Sequence, residues 1–592
     1  MHFGKSLGFL FLFFSFNVFG ADANGYTALY ECKSGGANCN VDVATYTTAS
    51  CAQTITTADS LGTIESKLAT GSSPICITNG DYTSKGTIFA SASGTSGNYR
   101  VLRYTRSGDN DDEPWNQTSG NQVKIHRLVI NGSFWILHRV TFPPVSGGLD
   151  KTVRLEIDAD PGPSLSNVII NRIHLQGSGP PSGYSYYGYS QNNCEWTYSD
   201  ITFQNSVVGG AYGDLTSNDA IAVDFGCITR GRIVNNELYD WNGGIIQYGS
   251  NTGGGGPKSG SVIENNDCYN SEVSQTQGGA RIKGEGCLSF KQSGTQSGPV
   301  LMLHNRIWGS RWFDGAFCCN GASGSAVAFG AGGGVNSDWI FFQNNIVFDS
   351  QHGIEHTHWS SPSSTNRSSV IGNIFYKIKP FLSSQPSFVW WAGSFGVNTT
   401  EHYLNTIIDS DVYADGPFNT NNDFRCNVNI SAGTSSESNG SGTQWDYNVY
   451  LGTTHNGETN KIDKTLNTRA NSTAYTDQII RTTATAPADG TSGDFLYKVV
   501  SAGTSAASPP AYCTKLNCVT KDGTMAVKAI RGPYKFFKKL RTVSGGEATY
   551  IPYARAVNLS VLPEFGFCTD TFASRTGIGI NNVDNIGAND RL

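Results

Sequence analysis

Residues 261–269 read SVIENNDCY and residues 301–308 read LMLHNRIW, so in each an asparagine stands between two apolar runs. The same pattern recurs along the chain, with these asparagines: Asn171, Asn205, Asn236, Asn266, Asn305, Asn345, Asn373, Asn405, Asn427 and Asn448. Successive asparagines are 34, 31, 30, 39, 40, 28, 32, 22 and 21 residues apart. Repeats of this size are typical of solenoids, in which each unit packs against its neighbours.

The composition of each repeat predicts short strands joined by turns. Runs of β-branched and aromatic residues are bounded by Gly, Asn, Asp and Ser, with hardly any helical periodicity between them. Asn suits a repeated corner because it tolerates left-handed backbone geometry, and stacked Asn side chains can hydrogen-bond from coil to coil. We therefore expect an all-β protein, a parallel β-helix with an N-terminal cap and an irregular C-terminal region. Tandem immunoglobulin-like domains would show longer strands and smoother alternation.

The N-terminus predicts export. Residues 1–20, MHFGKSLGFLFLFFSFNVFG, have the pattern of a secretory signal peptide. No later stretch approaches about 20 apolar residues, so we expect no membrane span. The expected organisation is a cap with the first coils at 21–110, the β-helix at 111–460 and C-terminal coils with a tail at 461–592. We expect a secreted protein, located outside the cell, in a periplasm or at the cell surface.

The cysteines and the net charge indicate which cross-links and which partners to expect. In an exported chain, the fourteen cysteines favour disulfides over metal ligands. Cys32/Cys39 and Cys513/Cys518 are close enough in sequence to close small loops, although sequence alone does not fix the pairing. A net charge of −6 gives no reason to expect nucleic acid or anionic lipid as a partner. The sequence leaves the oligomeric state open.

A charged segment lies within the longer repeats. The intervals of 39 and 40 residues predict loops that leave the solenoid, where binding and catalysis tend to occur. Residues 278–294, GGARIKGEGCLSFKQSG, belong to the first of these repeats and concentrate charge in a chain with 15% charged residues. As one extended strand, the segment would place Leu288 and Phe290 inward and Cys287 outward. A turn at Gly284 or Gly286 could break this run, but Leu288 and Phe290 would still lie inward and Lys291 outward. The charged residues on the outward side would be Arg281, Lys283, Glu285 and Lys291.

The next repeat adds further candidates for binding an acidic polysaccharide. Residues 301–315, LMLHNRIWGSRWFDG, contribute His304, Arg306 and Arg311, with Trp308 and Trp312 as surfaces on which sugars could stack or as core residues. Cations can bind a uronate carboxylate and acidify the proton on the adjacent carbon. A basic residue then removes that proton, and the glycosidic oxygen leaves by β-elimination.

Two long segments resemble a known group of proteins. Residues 75–104, ICITNGDYTSKGTIFASASGTSGNYRVLRY, and residues 123–142, VKIHRLVINGSFWILHRVTF, are similar to the opening of secreted right-handed β-helix proteins of the polysaccharide lyase type. Residues 493–510, GDFLYKVVSAGTSAASPP, are similar to the closing segments of many bacterial β-helix proteins. The resemblance implies a right-handed solenoid over most of the chain, a fold that hosts lyases, hydrolases, epimerases and adhesins.

A shorter resemblance concerns chemistry. Residues 287–294, CLSFKQSG, look like the lysine-bearing strand of the chondroitinase B and alginate lyase family. That resemblance implies Lys291 as the base and Arg311 as the assisting arginine, and we add His304 as a candidate proton carrier. The acidic residues that hold calcium in the family are replaced here by Gly286 and Cys287. Calcium is thus an open candidate cofactor for which the sequence offers no clear site.

Two alternatives to a lyase remain. Residues 218–226, NDAIAVDFG, and residues 280–284, ARIKG, resemble polygalacturonase motifs, which implies acid-base hydrolysis by Asp219 and Asp224. The sequence departs from that pattern at Asn218, where the family has an aspartate. A non-catalytic adhesin or glycan-binding solenoid would need only the fold and exposed aromatic residues.

Overall fold

The structure of the protein is a computed structural model. It describes residues 43–104, 122–144, 155–158, 164–176, 186–191, 197–211, 220–226, 228–241, 245–248, 261–269, 276–277, 280–281, 286–292, 300–310, 325–331, 336–348, 350–358, 365–376, 378, 388–392, 397–403, 405–408, 410, 412–415, 421–430, 435–438, 444–446, 448–451, 458, 462–464, 466–481, 496–513, 518–531, 535–539 and 550–553. All of them belong to one compact unit, Asp42–Leu592. The expected signal peptide and Cys32/Cys39 lie outside the described residues.

Three parallel sheets form the body of the protein, and each complete coil visits them in the same order. One coil, for example, runs through Ser261–Glu264 in the first sheet, Asp267–Tyr269 in the second and Leu288–Gln292 in the third. Within each sheet, neighbouring strands come from successive coils and pair in parallel, as Ser261 with Val300 shows. Parallel crossovers of this kind are right-handed as a rule. The right-handed parallel β-helix expected from the sequence is confirmed.

The strands of each sheet follow in chain order. The first sheet contains Gln53–Ile55, Ile75–Ile77, Arg100–Tyr104, Trp135–His138, Ser164–Asn171, Thr197–Gln204, Ile228–Thr229, Arg232–Val234, Ser261–Glu264, Val300–Leu303, Asn336–Gln343, Thr365–Ile371, Val397–Tyr403, Asn421–Arg425 and Gln444–Asp446. The second sheet contains Gly80–Asp81, Val123–Lys124, Thr141–Phe142, His174–Gln176, Val207–Ala211, Glu237–Trp241, Asp267–Tyr269, Arg306–Trp308, Ile346–Phe348, Ile374–Tyr376, Thr406–Ile408, Val428–Ile430, Val449–Leu451 and Ile462–Lys464. The third sheet contains Thr87–Ala90, Arg127–Ile130, Leu155–Ile157, Tyr186–Gln191, Ala220–Phe225, Ile246–Tyr248, Leu288–Gln292, Ser325–Ala331, His352–His358 and Phe388–Ala392.

Helices and smaller sheets flank the solenoid. The helical segments are Val43–Thr48, Leu61–Thr70 and a 3-10 turn at Thr83–Lys85. Ser60 caps the helix Leu61–Thr70 by accepting a hydrogen bond from the backbone N–H of Thr63, and the helix buries Ile64 and Leu68 in the solenoid core. Among the described residues, no helix is long and apolar enough to cross a membrane.

The remaining strands form smaller sheets. A five-stranded sheet contains Leu466–Thr468, Ile479–Arg481, Leu496–Ser501, Met525–Arg531 and Val519–Asp522. Two-stranded pairs are Thr276–Gln277 with Ala280–Arg281, Val412–Asp415 with Ser435–Ser438, Ala474–Tyr475 with Gly503–Thr504, and Lys535–Lys539 with Tyr550–Tyr553.

Asparagines form a buried ladder at the corner between the first and second sheets. Its rungs are Asn236, Asn266, Asn305, Asn345, Asn373, Asn405, Asn427 and Asn448. In each rung before the last, the backbone N–H and Nδ2 donate to Oδ1 of the asparagine in the following coil, as Asn266 does to Asn305 at 3.1 and 2.9 Å. Ser206 begins this inner ladder, and the carboxylate of Glu458 ends it by accepting from Asn448. Both the Nδ2 and the Oδ1 of each asparagine in this inner ladder thereby have hydrogen-bond partners.

A second, outer ladder runs beside the first in the opposite direction. Asn265 donates to Asn235, Asn235 to Asn205, and Asn205 to Asn171. The single column of ten asparagines expected from the sequence is therefore wrong at its start, because Asn171 and Asn205 belong to this outer ladder. At the inner positions of those two coils stand Ile173 and Ser206, which directly follow Arg172 and Asn205. Two adjacent asparagines in one turn face different surroundings, which sequence spacing does not distinguish.

Three disulfides lie in the described part of the chain. Cys513–Cys518 confirms the small loop expected from the sequence. Cys51–Cys76 and Cys268–Cys287 join cysteines 25 and 19 residues apart, and sequence spacing did not predict either pair.

Candidate functional site

The outer face of the third sheet carries a continuous row of mostly polar residues, here called the outer row. Successive coils place at Cα-paired positions Glu156, Ser190, Asp224, Gln247, Ser289, Ala328, Glu355 and Trp391. The neighbouring positions Val223, Leu288 and Val327 are buried in the solenoid core. Because side chains alternate along a strand, the outer row takes the outward positions.

Lys291 occupies the next outward position along the same face. It lies two residues beyond Ser289 in the strand Leu288–Gln292, and its Cα pairs with that of Gly330, which in turn pairs with Thr357. Leu288, three residues earlier, is 1% exposed and lies in the core, as alternation predicts. Gly330 has no side chain, so the neighbouring coil contributes only backbone beside Lys291.

The chain from Arg281 to Lys291 does not form one strand, and a break at Gly286, the alternative that the sequence had left open, precedes the strand of Lys291. Ala280–Arg281 pairs antiparallel with Thr276–Gln277 in a separate hairpin, whereas Lys291 belongs to the third sheet. Cys287, expected on the outward side, is fully buried and bonded to Cys268. The physical reason is the corner of the coil at Gly286 and Cys287, where the chain enters the third sheet and its alternation restarts.

The Cys268–Cys287 disulfide links two strands of this coil. Cys268 lies in Asp267–Tyr269 of the second sheet, and Cys287 directly precedes Leu288–Gln292 of the third. The chain between the two cysteines contains the hairpin that carries Arg281. A covalent link at this point fixes where the strand of Lys291 begins.

His304 lies at a different corner from Lys291. It has a φ of 55° and occupies the turn between the first and second sheets, in the column that holds Asn265 one coil earlier. The strand Val300–Leu303, about 13 Å long at 3.3 Å per residue, separates it from the third sheet. Since consecutive strands of a coil enter different sheets, closeness in sequence does not bring His304 beside Lys291.

Arg306 and Trp308 lie on the outer face of the second sheet. The Arg306 guanidinium forms an ion pair with Asp267 of the preceding coil. Trp308 is 4% exposed and stacks between Tyr269 and Phe348, with ring centroids 4.2 and 5.1 Å apart. Both faces of the indole are covered, so the structure gives Trp308 a packing role, the alternative that the sequence had left open.

Among the candidate site residues, those outside the described part of the chain are Lys283, Glu285, Arg311, Trp312 and Asp219.

Carboxylates are spaced along the outer row. Glu156 is buried and forms an ion pair with Arg127, Asp224 is partly exposed, and Glu355 is fully buried. Asp224 is two strand spacings from Glu156 and also from Ser289, with one strand between the members of each pair, so each pair of Cα atoms is about 10 Å apart. Strand register alone shows the row, because its successive members are 23 to 42 residues apart in sequence and share no motif.

Buried groups near the row do not supply a metal site. His352 lies in the same strand as Glu355, and burial lowers the pKa of its imidazole to about 4, so the ring is neutral at pH 7. Asp224 and Glu355 are four strand spacings apart, about 19 Å between their Cα atoms, which is too far for both to bind one calcium ion. Within the described residues, no three or more His, Cys, Asp or Glu side chains cluster as metal ligands would. These residues do not fit a calcium site.

Similarity to known proteins is found among solved structures and not among known sequences. No protein-family model and no curated protein matches the sequence. A solved structure described as the pectate lyase Pel9A matches with 12% identity and a TM-score of 0.29 over 68% of this chain and 80% of its own. A mannuronic acid specific polysaccharide family 6 lyase from human gut microbiota matches with 12% identity and a TM-score of 0.33 over 70% of this chain and 81% of its own. The fold assignment rests on the three parallel sheets themselves.

Proposed function

We propose that this protein is a secreted polysaccharide lyase that cleaves an acidic, uronate-containing glycan by β-elimination. The observation that carries the proposal is the position of Lys291, at an outward register position of the third sheet beside the side-chain-free Gly330. A solenoid face offers an extended surface along which a polymer can lie. The observed disulfides support an oxidising, extracellular location.

The proposed chemistry needs a base and a group that stabilises negative charge. Lys291, in its neutral form, removes the proton from the carbon next to the uronate carboxylate. The electrons form a carbon–carbon double bond, and the glycosidic oxygen leaves with a proton from a nearby donor. Arg281, whose hairpin precedes the strand of Lys291 in the same coil, would neutralise the carboxylate together with Lys283 and Arg311.

Asp224 favours a second candidate function. It is a partly exposed carboxylate in the outer row. By strand spacing, the Cα atom of Glu156 lies about 10 Å from the Cα atom of Asp224, and the longer side chains can bring the two carboxyl groups closer together. Inverting glycoside hydrolases hold their two carboxyl groups about 6.5 to 9.5 Å apart. Hydrolysis by Asp224 with Glu156 or Asp219 is therefore the alternative. A non-catalytic glycan-binding solenoid would use the same face without chemistry.

A substrate panel tests these candidates. The mature protein is incubated with alginate, pectate, chondroitin and ulvan, and both ultraviolet absorbance of unsaturated products and new reducing ends are measured. We expect absorbance to rise with one of these glycans. The rate of this rise should be at least about a hundredfold lower in Lys291→Ala. Lys498→Ala, in the C-terminal five-stranded sheet, is the matched control and should retain full activity.

The other outcomes would indicate a different catalytic base or a different function. Full activity in a folded Lys291→Ala variant would refute the assignment of the base. Reducing ends without absorbance, lost in Asp224→Asn, would favour hydrolysis. Binding without either product would favour the non-catalytic solenoid. Circular dichroism and the thermal midpoint of each variant establish that it is folded.

A further inference from the structure

A stripe of aromatic and polar residues follows a bend at the start of the first-sheet strands in the N-terminal coils. Its members take the same position in successive coils: Tyr99, Phe134, Asn167, Asp200 and Arg230. The Cα pairing of the adjoining strand residues places neighbouring members one strand spacing apart, about 4.8 Å. We call these five residues the corner stripe.

Phe134 is held at this bend in a conformation that a phenylalanine rarely adopts. Its φ is 59°, and the bend residues of the next three coils, Asn167, Asp200 and Arg230, also have positive φ values. Asparagine and aspartate tolerate this left-handed region, whereas a bulky side chain is disfavoured there. Strained backbone of this kind persists where the residue serves a function. The ring of Phe134 therefore contributes something at this position that outweighs its conformational strain.

The ring of Phe134 is only partly packed. It makes an edge contact with Tyr99, with ring centroids 5.5 Å apart, and Tyr99 makes a second edge contact with Tyr46 at 5.4 Å. Tyr99 is buried, whereas Phe134 remains partly exposed. Trp308, by contrast, is enclosed between two stacked rings. Part of the Phe134 ring is thus open to solvent and available to a ligand.

Two polar groups on either side of Phe134 have spare hydrogen-bonding capacity. Asn167 Nδ2 donates to Ser166 Oγ at 2.9 Å, and Asn167 Oδ1 has no hydrogen-bond partner among the described residues. The Tyr99 hydroxyl likewise has none in the described part of the chain. Burial raises the pKa of Tyr99 to about 12, so this hydroxyl keeps its proton at pH 7 and can donate. One acceptor and one donor are therefore available beside the ring.

Asp200 and Arg230 complete the stripe with an exposed ion pair. Arg230 donates from Nε to Asp200 Oδ1 at 2.7 Å and from Nη2 to Oδ2. The side chains are 29% exposed for Asp200 and 48% for Arg230. Each carboxylate oxygen can accept a further hydrogen bond, and the two charges cancel. The stripe thus offers polar contacts without a net charge.

We propose that the corner stripe is a binding site for a sugar unit of a glycan chain. The exposed part of the Phe134 ring offers an apolar surface for the C–H face of a pyranose. Asn167 Oδ1 and the Asp200 carboxylate accept hydrogen bonds from sugar hydroxyls, and the Tyr99 hydroxyl donates one. An aromatic surface with a few fixed polar groups is the usual composition of a small-ligand site. Because the stripe has no net charge, its ligand need not be a uronate.

This site is separate from the face that carries Lys291. The coil of Phe134 lies four strand spacings before the coil of Lys291, about 19 Å along the solenoid. A sugar on the Phe134 ring therefore does not contact Lys291, and the inference does not depend on the proposed lyase function. Such a site would keep a polymer attached to the protein whether or not another part of that polymer is cleaved.

The chain itself suggests the test variants. Phe134→Asn places at this bend the residue that the next coil carries there, Asn167, and it removes the ring together with the backbone strain. Removal of a ring that served packing alone would lower the thermal midpoint, whereas removal of a ring kept for a ligand leaves it unchanged or higher. Asn167→Gly removes the amide and keeps access to positive φ. Phe89→Ala is the matched control, because Phe89 is 45% exposed but lies in the third sheet.

Isothermal titration calorimetry of the full mature chain tests the proposal. The probes are hexasaccharides from alginate, pectate and chondroitin, with cellohexaose as a neutral glycan. All titrations use protein that also carries Lys291→Ala, and ultraviolet absorbance verifies that no probe is cleaved. We expect at least one probe to bind, with affinity reduced about tenfold or more by Phe134→Asn and about fivefold by Asn167→Gly. Phe89→Ala should leave the affinity unchanged.

Three results would overturn the proposal: no binding of any probe, equal affinity after Phe134→Asn, or an equal loss after Phe89→Ala. If Phe134→Asn fails to fold, as its thermal midpoint would reveal, Asn167→Gly decides, and unchanged affinity in that variant would overturn the proposal. Binding at the stripe is expected even if none of the glycans is cleaved by the protein without these substitutions. Failure of the lyase function and failure of this inference are therefore distinguishable.

Discussion

Truncating one rung of the inner ladder should destabilise the protein strongly. Asn266 is fully buried and makes four side-chain hydrogen bonds. Its Nδ2 donates to the carbonyl of Ile233 and to Asn305 Oδ1, both at 2.9 Å. Its Oδ1 accepts from the backbone N–H and from Nδ2 of Asn236, both at 3.0 Å. Asn266→Ala removes all four bonds within one buried corner.

The expected loss follows from the groups that remain. After truncation, the N–H of Asn236, one Nδ2 proton of Asn236 and the carbonyl of Ile233 lose a partner inside the protein. Asn305 Oδ1 keeps the backbone N–H of residue 266. Each orphaned buried group costs about 1 to 3 kcal/mol, so three of them give about 3 to 9 kcal/mol, and relaxation favours the lower half of that range, about 3 to 6 kcal/mol. Such a value is at the upper end of single substitutions.

The neighbouring residue provides a matched control. Asn265 donates one exposed hydrogen bond, to Asn235 at 2.6 Å, and has a φ of 54°. Asn265→Gly preserves access to this left-handed conformation and should cost less than about 1 kcal/mol. Urea unfolding followed by tryptophan fluorescence and calorimetry of both variants gives the comparison, with transitions compared one by one because solenoids can unfold in stages. A loss below about 1 kcal/mol for Asn266→Ala would refute the ladder as a net source of stability.

Two further predictions concern the end of the ladder and the buried histidine. Glu458 accepts from the N–H and Nδ2 of Asn448 and from the Tyr450 hydroxyl. Glu458→Ala should cost about 2 to 4 kcal/mol, and Glu458→Gln, which keeps an acceptor, less than half as much in the same urea experiment. Burial lowers the pKa of His352 to about 4, below its ordinary value of 6.5. The unfolded chain therefore binds an extra proton below about pH 6.5, and the unfolding free energy should decrease by up to about 1.4 kcal/mol per pH unit down to about pH 4. His352→Phe should flatten that part of the profile of thermal midpoint against pH, and an unchanged slope would contradict this origin.

The sequence predicted the fold because the fold repeats. An asparagine between two apolar runs marks a corner of the coil. It recurs one coil later because every coil must turn in the same way at this point. Its amide needs a partner above and below, so a stack of such corners requires the same residue in many coils. This is why the eight buried rungs from Asn236 to Asn448 could be read from spacing alone. The disulfide Cys513–Cys518 was equally local, since its cysteines are five residues apart.

The candidate site was only partly predictable. Leu288 lies in the core as alternation predicted, and the same alternation gives Lys291, in the same strand, an outward register position. Alternation did not hold across the corner at Cys287. His304 and Arg306, which were grouped with Lys291 because they are close to it in sequence, belong to other parts of the coil. Alternation is a property of a single strand, and it carries no information about which sheet the next strand enters.

By itself, then, the sequence determined that the chain winds into a β-helix and where its repeated asparagine corners lie from Asn236 to Asn448. Tertiary structure alone decided which residues share a face. Asp224, Ser289 and Glu355 align in the outer row, and Arg103, His138 and Asn171 align on the first sheet, only because coils of unequal length stack in register. Loops between strands absorb the differences in length, so a fixed spacing in space corresponds to no fixed spacing along the chain.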